Sequence, residues 1–264
     1  MLASPDRFAL AALPERRVGH RVEEHASIGS TNDRARELLE TADGAGVAVV
    51  AEEQRAGRGR RGRTWESPPG LNLAMSVGIR PALPAADAWK LGLAAALAAR
   101  EACGEIADVR LKWPNDLVTA DGRKLGGLLV ETAIDGDAVT DAVIGIGINV
   151  NWRIADMPAP LSETATSLAE LAGADVDRVA LLSRLLAGLD AEIAQVEAGA
   201  SPLARYRAAC TTIGEPVTID VGSGLVAGTA VDVDDHGHLV ISTADGIVTV
   251  ATGQVVRASA EVGR

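Results

Sequence analysis

The chain has 264 residues, 47% of them hydrophobic and 23% charged, with a formal net charge of −11. That length and balance suit a globular protein of one or two domains and exclude a disordered chain. No apolar run reaches the roughly 18 residues of a membrane span, and arginines break up the N-terminal stretch, so neither membrane span nor signal peptide is predicted and the cytoplasm is the expected compartment.

In chain order, "RVEEHAS" alternates loosely as a strand, and "STNDRARELLETA" sets Ala35, Leu38, Leu39 and Ala42 at helical spacing. The strand-to-helix junction at Ser30 to Asn32 therefore presents polar caps and free amides. "AGVAVVAEE" reads as a buried strand, the arginine-rich stretch after it as a loop, and "LNLAMSVGI" as a further strand. A long helix is expected over "PAADAWKLGLAAALAAREAC", beginning at its proline, followed by the short strand "DVRLKW" and a turn at "WPND". "KLGGLLVETAIDGDAVTDAVIGIGINVNW" reads as two apolar strands joined through Asp135, Gly136 and Asp137. Helical patterns occupy approximately 162–209, with Leu168, Leu171, Leu181, Leu182, Leu185, Leu186 and Leu189 facing a core.

Beyond Cys210 the pattern changes to short β-branched runs broken by Gly-Ser-Gly, Asp-Asp-His-Gly and Ala-Asp-Gly, which predicts a small all-β barrel of about five strands. We divide the chain into 1–211 and 212–264. From Gly214 onward seven acids (Glu215, Asp220, Asp232, Asp234, Asp235, Asp245, Glu261) face two bases (Arg257, Arg264), a poor composition for binding nucleic acid. Cys103 and Cys210 lie far apart without a CxxC spacing and read as small buried hydrophobes, giving no disulfide or zinc signal.

One stretch runs against the acidic balance. Between Arg55 and Arg63 stand five arginines (Arg55, Arg58, Arg60, Arg61, Arg63) and three glycines (Gly57, Gly59, Gly62). Glycine lets backbone amides approach an anion, and arginine adds forked donors that match carboxylate or phosphate, so an anion site is expected. An arginine-glycine nucleic-acid contact is the rival reading, disfavoured because the run is bounded by two buried strands. No GxxxxGK[ST] occurs, and the GxGxxG from Gly57 to Gly62 lacks the acidic residue of a dinucleotide fold.

Other candidates are individually weak. "KWPND" places Lys112, Asn115 and Asp116 on a turn, where an ammonium could meet phosphate and a carboxylate could hold Mg²⁺. "KLGG" sets Lys124 before Gly126 and Gly127, which by itself is a strand start with a bulge. "GIGINVN" alternates glycine along an apolar strand that ends in Asn149 and Asn151. No GxSxG serine or base-paired cysteine offers a covalent nucleophile.

Together and in this order, "STN", "GRGRRGRTW", "KWPNDL", "KLGGLLVE" and "GIGINVN", followed by a small barrel, resemble the biotin protein ligases over approximately Glu24 to Arg257. The resemblance implies an α+β fold, in which a mixed-sheet catalytic domain related to class II tRNA synthetases and lipoate ligases precedes an SH3-like barrel. It implies an ATP-dependent ligase that forms biotinoyl-5′-AMP and transfers biotin to a lysine of a biotin carboxyl carrier protein, with ATP and Mg²⁺ as cofactors. Lipoate–protein ligase and a non-catalytic biotin-binding regulator are the alternatives. The segment ahead of Ser30 is too short for a helix-turn-helix domain, so no sequence-specific DNA binding is expected, and a homodimer is a candidate assembly.

By the same resemblance, Ser30, Thr31, Asn32 and Gln54 line the ureido ring of biotin. Gly57, Arg58, Gly59, Arg60, Lys124 and Gly127 surround the rest of biotin, with Lys124, Arg58 and Arg60 as the catalytic set. Arg61, Arg63, Trp65, Lys112, Asn115 and Asn149 take the ATP and adenylate side, and Asp116 takes the metal.

Overall fold

A computed structural model of the chain describes residues 8, 11–13 and 15–256. Arg257, Glu261 and Arg264, counted above in the C-terminal charge balance, lie outside the described residues.

Seven strands form one mixed sheet: β1 (Val22–His25), β2 (Ala48–Ala51), β3 (Leu73–Ile79), β4 (Arg110–Lys112), β5 (Asp116–Val118), β6 (Lys124–Asp135) and β7 (Ala138–Ile148). Their order is β1-β2-β3-β7-β6-β5-β4, with β1 parallel to β2 and every other neighbour antiparallel. The parallel pair needs a crossover, supplied by α1 (Thr31–Leu39). β6 and β7 form the expected hairpin, turning at Gly136 with φ +56°.

Side-chain alternation sends successive residues to opposite faces of the sheet. Val49 and Val143 meet Ala35, Leu38 and Leu39 of α1 on one face. Ala48, Val50, Met75, Val77, Ile144 and Ile146 meet α2 (Trp89–Gly104) and α5 (Arg178–Glu197) on the other. The alanines of α2 let the second helix layer approach closely, and a Cβ at Gly188 of α5 would lie 3.5 Å from Ala98. α2 begins at Trp89 rather than at its proline, because Pro84 caps a separate 3-10 turn over Ala85–Asp87.

The helical stretch after β7 is divided into α3 (Leu161–Thr164), α4 (Leu168–Ala172), α5 and α6 (Leu203–Ala209). Gly173 at φ +70° ends α4, and Asp177 caps α5 by accepting from the amides of Val179 and Ala180. At its start Arg178 makes a buried two-pronged ion pair to Glu52, 2.7 and 2.9 Å, and donates to Asn72 O at 3.0 Å. This fastens α5 to the chain just after β2, two residues before Gln54. Both cysteines are free and buried, and burial pushes the Cys103 thiol up to about 12.

The C-terminal strands β8 (Pro216–Asp220), β9 (Leu225–Val233), β10 (Leu239–Thr243), β11 (Gly246–Val250) and β12 (Gln254–Val256) form an antiparallel sheet in the order β11-β10-β9-β8-β12. Arg207 of α6 ties this sheet to the first, donating to Val233 O at 2.8 Å.

Candidate active site

The N-terminus of α1 opens onto the sheet face that α1 covers. Gln54 Oε1 accepts from Thr31 N at 2.8 Å and from Thr31 Oγ1 at 3.0 Å. Thr31 Oγ1 lies 2.7 Å from Ser76 Oγ, Ser76 donates to Asn32 Oδ1 at 2.6 Å, and Asn32 Nδ2 donates to Glu131 Oε2 at 2.8 Å. Thr31, Asn32 and Ser76 are buried, so this floor is a chain of uncharged donors and acceptors fixed by one another and anchored at its end to the Glu131 carboxylate. Ser30 occupies the N-cap without a side-chain capping bond.

The alternation in "GIGIN" makes room for this floor. A Cβ at Gly145 would collide with Asn32 Oδ1, and one at Gly147 would stand 2.5 Å from Trp65 Cε2. Glycine therefore occupies the site face of β7, while Ile144, Ile146 and Ile148 pack in the core.

Across the cavity stands Lys124. The β5–β6 register shifts so that Leu117 pairs with Gly126 and Val118 with Lys124, a bulge at Leu125 that re-aims the lysine. Lys124 Nζ then donates to Asp116 Oδ1 at 2.6 Å, lies 5.9 Å from the Trp65 ring centre, and would be 3.4 Å from a Cβ at Gly127. Asn115 Nδ2 donates to Leu128 O at 2.6 Å and fixes the turn that follows the cis Trp113–Pro114 bond. Among the described residues no group of three His, Cys, Asp or Glu side chains could hold a metal ion. Asp116 is thus a single carboxylate beside an ammonium, a donor set that fits Mg²⁺ when substrate phosphates and water supply the other ligands.

The arginine loop closes on itself. Trp65 N donates to Gly57 O at 2.9 Å and Gly59 N to Arg63 O at 2.7 Å, while a Cβ at Gly57 would approach Trp65 O to 2.5 Å. At its base Arg58 donates to Asp33 Oδ1 at 2.7 Å and Glu131 Oε2 at 3.2 Å. At its tip Arg60 donates to Thr252 Oγ1 at 2.9 Å and Arg61 to Asp220 O at 2.8 Å, both in the C-terminal sheet region. Burial, with Arg61 and Arg63 nearby, holds the Arg60 guanidinium below its usual pKa, and Asp116 counters that shift.

Of the residues expected from sequence, Ser30, Thr31, Asn32, Gln54, Arg58, Gly59, Arg60, Arg63, Trp65, Asn115, Asp116, Lys124 and Gly127 line one cavity. Arg61 and Lys112 line a groove that adjoins it and shares Arg60, Arg63, Asp116 and Lys124. Gly57 supports the loop from behind. Asn149 is brought to neither lining: it is buried, its Nδ2 donating to Thr166 O at 3.0 Å, while Thr166 N bonds Lys124 O at 2.9 Å. Its place is therefore beneath the Lys124 backbone, because the chain turns away once β7 ends at Ile148. Sequence reasoning missed Ser76, whose signal is a hydroxyl in the middle of an apolar strand, and Glu131, the acid that closes "KLGGLLVE".

Comparison with known proteins gives consistent matches. The biotin/lipoate A/B protein ligase family matches residues 25–149, and the biotin protein ligase C terminal domain matches residues 212–257. The biotin–[acetyl-CoA-carboxylase] ligase of Mycobacterium tuberculosis is 39% identical over 240 residues, which cover 88% of this chain and 86% of that protein. The bifunctional ligase/repressor BirA of Bacillus subtilis is 33% identical over 235 residues, covering 88% of this chain and 72% of that protein. Among solved structures, the biotin protein ligase from Aquifex aeolicus in complex with biotin and ATP superposes with a TM-score of 0.75 at 30% identity, covering 89% of this chain and 97% of that one.

Proposed function

The chain belongs to the biotin protein ligase family, and from that membership we infer an ATP-dependent ligase that forms biotinoyl-5′-AMP and transfers biotin to a lysine of a biotin carboxyl carrier protein. The observation that carries the reading at residue level is the two-ended cavity: an uncharged hydrogen-bonding floor at Thr31, Asn32 and Gln54, and a cationic rim of Arg58, Arg60 and Lys124. Biotin has the matching polarity, with a neutral urea at one end and a carboxylate at the other.

The floor takes the ureido ring, because a buried urea must have its donors and acceptors satisfied. Lys124 then faces the biotin carboxylate. A carboxylate oxygen attacks the α-phosphorus of ATP, the bond to the β-phosphate breaks, and pyrophosphate leaves. Lys124, Arg58 and Arg60 offset the charge that accumulates there, while Arg61, Arg63 and Lys112 hold phosphate oxygens in the adjoining groove. Trp65 packs beside the adenylate. Bound with ATP, Mg²⁺ would be held by Asp116 together with phosphate oxygens and would neutralise part of the triphosphate charge. Asn149 acts through Lys124, fixing its backbone by way of Thr166. The closed arginine loop excludes water from an anhydride that water would destroy.

Residues 1–211 supply the biotin cavity and the charged side chains of the phosphate groove in this reading, and 212–264 supply the barrel that receives the loop and lines part of that groove with Gly253, Gln254 and Val255. No helix among the described residues is long and apolar enough to cross a membrane, and the cytoplasm, where ATP and newly made carrier meet, is the proposed compartment. Sequence-specific DNA binding is not part of the proposal, and tight binding to an operator duplex at physiological salt would overturn that element. A homodimer is the proposed assembly, supported by the edge of β6 beyond Leu128 that β5 leaves unpaired, and sedimentation tests it.

The direct test is biotin-dependent exchange of pyrophosphate into ATP. Exchange with biotin, absent with lipoate and reduced about 10²–10³-fold in Lys124→Ala, is the expected result. Tight biotin binding without exchange would leave a binding protein.

A further inference from the structure

Two grooves of similar volume, about 270 and 260 Å³, reach the reaction cavity. The first carries Arg61, Arg63, Lys112 and Lys124 and suits the triphosphate. The second runs between the start of α2 and the turn joining β9 to β10. It shares Arg60, Asn115, Leu128 and Leu129 with the cavity, and its remaining lining includes Trp89, Gly92, Trp113, His236 and His238. The barrel turn is fixed against the catalytic domain: Trp113 Nε1 donates to Gly237 O at 3.1 Å, and a Cβ at Gly237, which has φ +77°, would stand 3.0 Å from Trp89 Cε3.

Resting on the ligase reading above, we propose that the groove between α2 and the β9–β10 turn is the path by which the carrier's lysine side chain reaches the biotinoyl-adenylate. Charge separates the two mouths. An ammonium is repelled by the first groove, where Arg60, Arg61, Arg63, Lys112 and Lys124 outweigh the single acid Asp116, whereas among the described residues Arg60 is the one formal charge lining the second, and Thr252 accepts from it. Behind the two histidines that line it, Asp234 of the β9–β10 turn accepts from the amides of His236 and His238 at 2.9 Å and lies 3.5 Å from His238 Nδ1, so the barrel side of the second groove has a carboxylate rather than a base behind it. On the helix side, Lys90, next in sequence to the lining residue Trp89, is paired with Asp87 at 2.9 Å. Inside, indole faces suit an ammonium and a four-methylene stem together. Once deprotonated by water in the groove, the amine attacks the acyl carbon. A C–N bond forms, the bond from acyl carbon to phosphate oxygen breaks with its electron pair going to AMP, and the nitrogen's surplus proton returns to water.

Gly92 makes the path testable, since a Cβ there would meet nothing within 4 Å and a larger side chain grows into the groove. In Gly92→Trp, transfer from preformed enzyme-bound adenylate to the carrier should fall at least about ten-fold in kcat/KM, while biotin-dependent pyrophosphate exchange stays within about two-fold of wild type. His236→Trp, placed on the barrel side, should act the same way. Unimpaired transfer in both tryptophan variants would overturn the proposal. So would a parallel fall in exchange, which would assign the groove to the first half-reaction. Absence of exchange in the wild type would instead defeat the ligase reading itself.

Discussion

The floor of the cavity and the arginine loop above it are built on opposite physics. Thr31, Asn32, Gln54 and Ser76 are neutral and mutually hydrogen-bonded, and three of the four are buried. The loop is charged, and its arginines reach separate acceptors on the sheet and the barrel. The Arg58–Asp33 pair has side chains 40% and 52% exposed, where such a pair contributes only about 0–1 kcal/mol. A fixed floor selects a shape and a pattern of donors, and a weakly held loop can open for substrate and close again. The contrast assigns rigidity to recognition and mobility to water exclusion.

The largest break in that contrast lies beneath the floor. Arg178→Ala leaves Glu52 as a buried, unpaired carboxylate two residues from Gln54, and loss of one partner from a buried pair costs about 3–5 kcal/mol. The expected outcome is a comparable fall in unfolding free energy, read as a lower urea midpoint, with biotin affinity falling as Gln54 loses its support. Equal stability of variant and wild type would show that the floor does not depend on this clamp. A smaller, more local effect belongs to Asn32→Ala, which leaves Ser76 and Glu131 without a shared partner. Biotin binding should weaken by about 1–3 kcal/mol, measured by calorimetry, with the KM for ATP unchanged. Equal changes for both ligands would mean that floor and loop are not separable.

The same contrast explains what the sequence disclosed. Strands, hairpin and barrel were legible because periodicity and turn chemistry are local, and the loop because five arginines among glycines stand out in an acidic chain. Trp65 and Gly147 were each singled out, yet that one packs on the other depends on the pairing of β3 with β7 and on the closure of the loop, which no local pattern encodes. Ser76 and Glu131 were missed for a related reason: a lone hydroxyl in an apolar strand and a glutamate midway along β6 acquire meaning only when α1 is laid across them. Asn149 continues the parity of Gly145 and Gly147, but β7 ends one residue earlier, so its contact with Thr166 beneath Lys124 is not legible from the alternation. The contacts of Arg60 and Arg61 with Thr252 and Asp220 span most of the chain, and their partners carry no motif.

The smallest expected effect tests how weakly the loop is held. Arg61 is the one non-glycine residue with positive φ among the described residues, at +57°, a conformation that costs an L-residue about 1–2 kcal/mol. In return its guanidinium donates to Asp220 O at 2.8 Å, an exposed bond that contributes about 1 kcal/mol at most. Arg61→Gly removes strain and bond together, so thermal stability should change by less than about 1 kcal/mol, whereas Arg61→Ala keeps the strain and loses the bond and should be the less stable of the two by about 0.5–1 kcal/mol. Without ligand, proteolysis between Arg55 and Arg63 should quicken in both variants, because the tie to the barrel is gone. If instead Arg61→Gly destabilised the protein as much as Arg178→Ala does, the loop would be part of the rigid frame, and closure over the adenylate could not be its role.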